Sequence, residues 1–291
     1  MPELPELPVW GMVLTPFAPD LSVDHASLAA HVRALLDQGV HGVVALAVIA
    51  EPGALARAER AAVLDTVLDS AGDRPVVATV MALDDDGHLD DLRTLVRPRA
   101  DRLAAVMLPV HSPDPALVAA RLQAAHRTCG LPVWVQDYPG PTGVSIAFDD
   151  LVDALRRAPA VVAVKCEAPP TFRRIHALAA ALPHLQLLSG LGGANLVEDL
   201  VAGASGVACG ISRPADLVAA TRAWTSGGMP AALAEVSRFS ARVGVETQPG
   251  TSIAVRKEHW RRAGTIAAAQ VRPPQLPYPA FLSGLSDALI R

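Results

Sequence analysis

Lys165 and Glu167 close an apolar run, Val161-Val162-Ala163-Val164-Lys165-Cys166-Glu167. The run follows Ala158-Pro159 and has the length and β-branched content of a buried strand in a parallel sheet. Side chains alternate faces along a strand, so Lys165 and Glu167 share one face and Cys166 takes the other. An amine at the mouth of a dry strand is a candidate Schiff-base nucleophile, because burial favours the neutral amine and only that form attacks a carbonyl. The competing reading is a strand-end lysine that reaches water beside a glutamate partner. Composition favours the first. Of 25 lysines and arginines only Lys165 and Lys257 are lysine. Positions that want only a positive charge have become arginine, which stays protonated and cannot form an imine. A lysine kept inside an apolar strand is read as needed for its amine.

The chain around this stretch has 291 residues, enough for two ordinary domains or one large α/β barrel. Hydrophobic residues make up 51% and charged residues 19%, the composition of a soluble globular protein with an ample core. A net charge of −4 and the lack of any lysine run argue against a nucleic-acid surface. Cys129, Cys166 and Cys209 are far apart and odd in number, so they suggest no disulfide framework and point to a reducing, cytoplasmic compartment. Residues 1–8 form a proline-punctuated arm with neither the basic nor the apolar region of a signal peptide. No apolar run approaches the ~18 residues needed to cross a bilayer.

Eight short apolar runs punctuate the chain: Val9–Leu14, Gly42–Val48, Pro75–Met81, Leu103–Leu108, Pro132–Gln136, the stretch carrying Lys165, Leu185–Leu188 and Gly206–Cys209. A segment with helical spacing follows each, as in Leu28, Val32, Leu35 and Leu36 before Gly39. Strict βα alternation implies parallel strands with right-handed crossovers, and eight units fit a TIM (β/α)8 barrel. A doubly wound open sheet is the competitor; the first strand leads into Thr15-Pro16-Phe17 rather than a dinucleotide fingerprint, which counts against it. The barrel is expected over 9–227. From 228 to 291 only helical segments follow, with Pro273-Pro274-Gln275-Leu276-Pro277 as a rigid spacer.

A barrel carries its site at the C-terminal strand ends. Those ends hold Thr15, Glu51, His111, Gln136 with Tyr138, Lys165 with Glu167, and Gly190 to Gly193. An amine, a carboxylate and hydrogen-bonding groups are what imine chemistry on a 2-oxo acid requires. The pattern resembles the dihydrodipicolinate synthase and N-acetylneuraminate lyase superfamily over nearly the whole chain. The matching stretches are Gly11 to Phe17, Glu51 with Ala58-Glu59-Arg60, Pro139 to Gly143, Lys165, Ser189-Gly190, Gly203 to Gly206, and Arg272-Pro273-Pro274. The resemblance implies a TIM barrel with a helical tail, Lys165 as the Schiff-base lysine, a small-molecule 2-oxo acid as substrate, and a homo-oligomer, tetramer or dimer. No cofactor, metal, nucleic acid or membrane is expected.

Two departures bear on specificity. Where the family places hydroxyl residues in the loop after the second strand, this chain has Val48 and Ile49, then Ala50 and Glu51. The family's proton-relay tyrosine falls on Gln136, which can donate a hydrogen bond but cannot shuttle a proton; Tyr138, two residues on, is the candidate to replace it. Val135-Gln136-Asp137-x-Pro139, Lys165-x-Glu167-x-Pro169 and His111 after Pro109 look most like the 2-keto-3-deoxy-L-arabonate dehydratase branch, which gives Glu167 the acid/base role. The expected site is therefore Lys165, Glu167, Tyr138 and Gln136 for chemistry, with Ile49, Ala50, Glu51, His111, Gly190 and Gly192 around the substrate. The apolar loop suits a less hydroxylated substrate than a sugar acid. Altered chemistry, with a 2-oxo acid bound but not turned over, is the alternative. Two other features are read as structural: Gly190 to Gly193 as a tight turn rather than a phosphate cradle, and Asp84-Asp85-Asp86-Gly87 as a solvated helix start rather than a calcium loop.

Overall fold

The computed structural model describes residues 7–290. Eight strands close a parallel barrel in sequence order, the last pairing with the first. They are β1 (Val9–Met12), β2 (Gly42–Ala45), β3 (Val76–Thr79), β4 (Ala105–Pro109), β5 (Val133–Asp137), β6 (Val161–Cys166), β7 (Gln186–Ser189) and β8 (Gly206–Cys209). Closure settles the choice between barrel and open sheet. The surrounding helices are α1 (His25–Asp37), α2 (Arg57–Ala71), α3 (Asp85–Asp91), α4 (Pro115–Cys129), α5 (Pro139–Thr142), α6 (Phe148–Arg156), α7 (Thr171–Ala181) and α8 (Leu196–Val201). A long α9 (Ala215–Glu246), then α10 (Ser252–Arg262) and α11 (Ser283–Ile290), complete the chain. No described helix is long and apolar enough to cross a membrane.

Inside the barrel, Trp10 meets Trp134 edge to face, with centroids 4.8 Å apart, among Met107, Val77 and Leu188. These large side chains fill the lower barrel, so it is a packed core rather than a pore. Above them Met12, Ala47 and Ala208 leave space, and there a cavity begins.

Strand ends differ from the apolar runs for local reasons. β2 stops at Ala45 because Leu46 takes a left-handed φ of 58° and Val48–Ala50 wind into a tight turn. In β6, Val162 is 43% exposed rather than buried. The β5–β6 register passes from Val133↔Val161 to Trp134↔Ala163, which leaves Val162 unpaired as a bulge. After the bulge, Ala163 faces the barrel interior, while Val164 and Cys166 join the core beneath the helices. Lys165 therefore stands on the interior face, two residues beyond Ala163.

The acidic run opens α3. Asp84 caps it by accepting from Gly87 N–H at 2.7 Å, and Asp85 pairs with Arg121 at 2.5 Å. α9 is broken at Gly228, where φ is 66° and ψ is −159°.

Residues Ile253 to Trp260 of α10 are all buried despite four consecutive polar side chains, Arg256, Lys257, Glu258 and His259. This helix packs on the barrel rather than facing water. Trp260 lies edge-on to His31 of α1 at 4.7 Å. His31 Nε2 accepts from Leu14 N–H at 3.2 Å. Its burial, and then the charge of nearby Lys257, pull its pKa down to about 3. The unfolded chain takes up this proton below about 6.5, whereas the folded one resists until about 3. Proton uptake is thus greater in the unfolded state, and the stability present above pH 6.5 is lost as pH falls towards 3. Urea unfolding at pH 7 and pH 4.5 should show His31 contributing about 2–3 kcal/mol to the difference. His31→Gln should flatten the slope by that amount; an unchanged slope would show that His31 does not carry it.

Candidate active site

β5 and β6 bring the chemical groups together. Their register sets Gln136 beside Lys165, and the Glu167 N–H continues the ladder by donating to the Asp137 carbonyl at 2.9 Å. Lys165 Nζ lies 2.9 Å from Glu167 Oε2, and both side chains are 5% exposed. The same Oε2 accepts from Gln136 Nε2 at 2.7 Å, and Oε1 accepts from the Leu191 N–H at 3.1 Å. The carboxylate is thus held by three donors from three strand ends. Gln136 Oε1 is buried without a partner. Asp137, one position on, turns to the other face and binds Arg174 Nε at 2.5 Å.

These groups open onto a cavity of about 790 Å³. Met12, Ala47 and Ala208 form its floor, and Val48 and Ile49 give it one apolar side. Tyr138 lies on the wall. Burial, reinforced by the Glu167 charge and opposed by Arg256, pushes its phenol up to about 12. At neutral pH Tyr138 is therefore a hydrogen-bond donor and not a resident base.

Of the expected site residues, Lys165, Glu167, Gln136, Tyr138, Ile49 and Gly192 line the cavity. The other four do not. Ala50 spends its backbone within the turn, donating to Ala47 O and accepting from Thr15 Oγ1, each at 2.8 Å. Glu51 is engaged outside the cavity: Lys257 Nζ binds one carboxylate oxygen at 2.5 Å and the Arg272 N–H the other at 2.9 Å. His111 sits at the end of β4 away from the cavity, where burial and Arg121 lower its pKa to about 4. Gly190 acts through its missing side chain, since a Cβ there would fall 2.3 Å from Glu167 Cγ.

Lys257, the other lysine of the sequence, is fully buried under the ring of Phe17 at 4.1 Å and ties α10 to the β2 turn through Glu51. Burial lowers its pKa to about 8 against the opposing pull of Glu51.

No sequence motif marked the remaining wall. Thr247, just after α9, and Ser252 and Arg256 of α10 reach over the barrel and line the cavity. Read as sequence, this stretch is helical, with nothing to say that it packs over the barrel. Its only signal is a charged run, Arg256-Lys257-Glu258, on a helix with no apolar face broad enough to explain its packing.

Residues 7–85 match the dihydrodipicolinate synthetase family. The 4-hydroxy-tetrahydrodipicolinate synthase of Kineococcus radiotolerans is 30% identical over 273 residues, which span 92% of this chain and 87% of that protein. The enzyme of the same name from Sorangium cellulosum is 28% identical over 80% of this chain and 79% of its own length. Among solved structures, a dihydrodipicolinate synthase from Rhodopseudomonas palustris superposes with a TM-score of 0.90 at 23% identity, covering 99% of this chain and 98% of that one. CdNal from Clostridium difficile, solved in complex with mannosamine, gives 0.80 at 13% identity, with 97% of each chain covered. These two show the shared fold. Fold and sequence together define a barrel lyase. The chain belongs to the dihydrodipicolinate synthase family.

Proposed function

We propose that this chain is a Schiff-base lyase, a dehydratase or an aldolase, acting on a 2-oxo acid related to pyruvate or to a 3-deoxy-2-oxo acid. The observation that carries the reading is the buried Lys165 amine 2.9 Å from the Glu167 carboxylate, both lining a large cavity. A proton passes from the Lys165 ammonium to Glu167, and the neutral amine adds to the keto carbon. The carbonyl electron pair moves to oxygen, which takes a proton from Glu167. Nitrogen then returns a proton through Glu167, and the hydroxyl leaves as water. The sum is an ammonium and a ketone giving an iminium and water.

From the iminium, removal of a C3 proton gives an enamine that can expel a C4 hydroxyl. Removal of the C4 hydroxyl proton instead breaks the C3–C4 bond. Either step needs a base beside the imine, and Glu167 occupies that position. Gln136 and the Leu191 N–H hold the carboxylate in place without taking its proton. This division of labour supports likeness to the 2-keto-3-deoxy-L-arabonate dehydratase branch. The apolar Val48 and Ile49 wall favours a substrate with fewer hydroxyls than a sugar acid.

Borohydride reduction in the presence of pyruvate, followed by peptide mass spectrometry, tests the reading. A stable adduct on the Lys165 peptide is expected. Absence of an adduct with pyruvate and with every other 2-oxo acid tried would overturn imine chemistry. A trapped adduct with no turnover across 3-deoxy and 4-hydroxy 2-oxo acids would instead favour a barrel that binds without reacting.

A further inference from the structure

α10 carries four charged or titratable side chains in a row inside the protein, and three have partners. Lys257 binds Glu51 at 2.5 Å. Glu258 accepts from Arg261 and Arg262, each at 2.7 Å. His259 lies between Glu246 at 2.6 Å and Ser286 at 3.0 Å. Arg256 is the exception. It is 6% exposed, forms no ion pair among the described residues, and its Nε has no hydrogen-bond partner. The acids nearest in charge are already engaged. Glu246 is bound by Ser212 and His259, and Glu167 by Lys165, Gln136 and Leu191. A buried guanidinium without a partner is costly, and Arg256 lines the cavity.

The cavity also defines what can reach it. Leu191 donates to Glu167, while the next residue, Gly192, backs onto Arg256: a Cβ on Gly192 would lie 3.3 Å from Arg256 Nη2 and 2.6 Å from the Thr247 methyl. The Leu191-Gly192 strip therefore separates the amine–carboxylate pair from the guanidinium along one wall. A volume of about 790 Å³ is far more than a three-carbon acid fills. The planar fork of arginine suits a carboxylate, which it binds through two parallel hydrogen bonds.

We infer that Arg256 receives a second carboxylate on the substrate, remote from the keto carbon that Lys165 attacks, so that the preferred substrates are 2-oxo dicarboxylates. The inference rests on the proposed imine chemistry for the role of Lys165, but Arg256 itself can be read without it.

The test compares 2-oxo diacids of five and six carbons with 2-oxo monoacids of the same chain length. Each ligand is followed by calorimetry and, separately, by the concentration needed for half-maximal borohydride trapping. The wild-type protein should prefer a diacid over its matched monoacid by at least about tenfold, the strength of a charge-assisted hydrogen bond. Arg256→Gln should bring that ratio to about one, and Arg256→Lys, which keeps the charge but loses the fork, should leave an intermediate ratio. A wild-type ratio of one or less overturns the inference whatever the variants do. An Arg256→Gln ratio equal to wild type also overturns it, since the residue would then serve the carboxylate common to both ligands, or the fold. If no adduct is trapped with any ligand, the imine reading fails while the calorimetric ratio still decides the role of Arg256.

Discussion

Lys165→Arg should abolish the trapped adduct and lower turnover by more than about 10³-fold. Arginine keeps a positive charge within reach of Glu167, so the buried carboxylate retains a partner and the barrel should still fold. What it removes is the one property the mechanism needs, a nitrogen that can lose its proton and add to a carbonyl. Lys165→Ala is the poorer experiment, because it leaves Glu167 buried without its cation and mixes lost chemistry with lost stability. Circular dichroism and thermal unfolding of Lys165→Arg would show the fold intact. An adduct in that variant would move the nucleophile elsewhere, and Lys257 is too firmly held by Glu51 to be the obvious substitute.

Glu167→Gln should separate imine formation from the steps that follow. The amide has the shape of the carboxylate and can still accept from the Leu191 N–H, so the wall should keep its form. It cannot take up a proton. The adduct should still form, more slowly, while turnover falls by about 10²–10⁴-fold, the usual contribution of a general acid/base. Unchanged turnover would remove Glu167 from the mechanism and leave Tyr138 as the alternative. Tyr138 would then act as a donor, since its phenol is pushed up to about 12. A pH profile governed by the phenol would show no break at neutral pH.

The barrel was legible because its evidence is local. Eight apolar runs, each followed by helical spacing, specify strands and crossovers without reference to distant residues. The strand-end lysine was legible for a different reason, the depletion of lysine from the chain. That depletion selects two residues, however, and only the strand context separates Lys165 at the cavity from Lys257 in a structural pair. Glu51 and His111 both follow strand ends, and strand ends alone do not say where a loop carries its side chain. Glu51 turns away through a left-handed backbone, φ 56°, and meets a residue 206 positions later. The bulge at Val162 was hidden in an unbroken apolar run, although it sets which face Lys165 occupies. Arg256 was hidden for the opposite reason. A charged helix reads as solvated until its partners, scattered from Glu51 to Ser286, are brought around it.

The Lys257–Glu51 bond joins the turn after the second strand to a helix near the end of the chain. The cavity takes its floor from the first and eighth strands and the loop after the second, and its last wall from residues 247–256. On the ribosome, then, a chain that has already emerged with all eight strands still presents an open bowl. The cavity wall is complete only once α10 has docked and the second strand's turn has met Lys257.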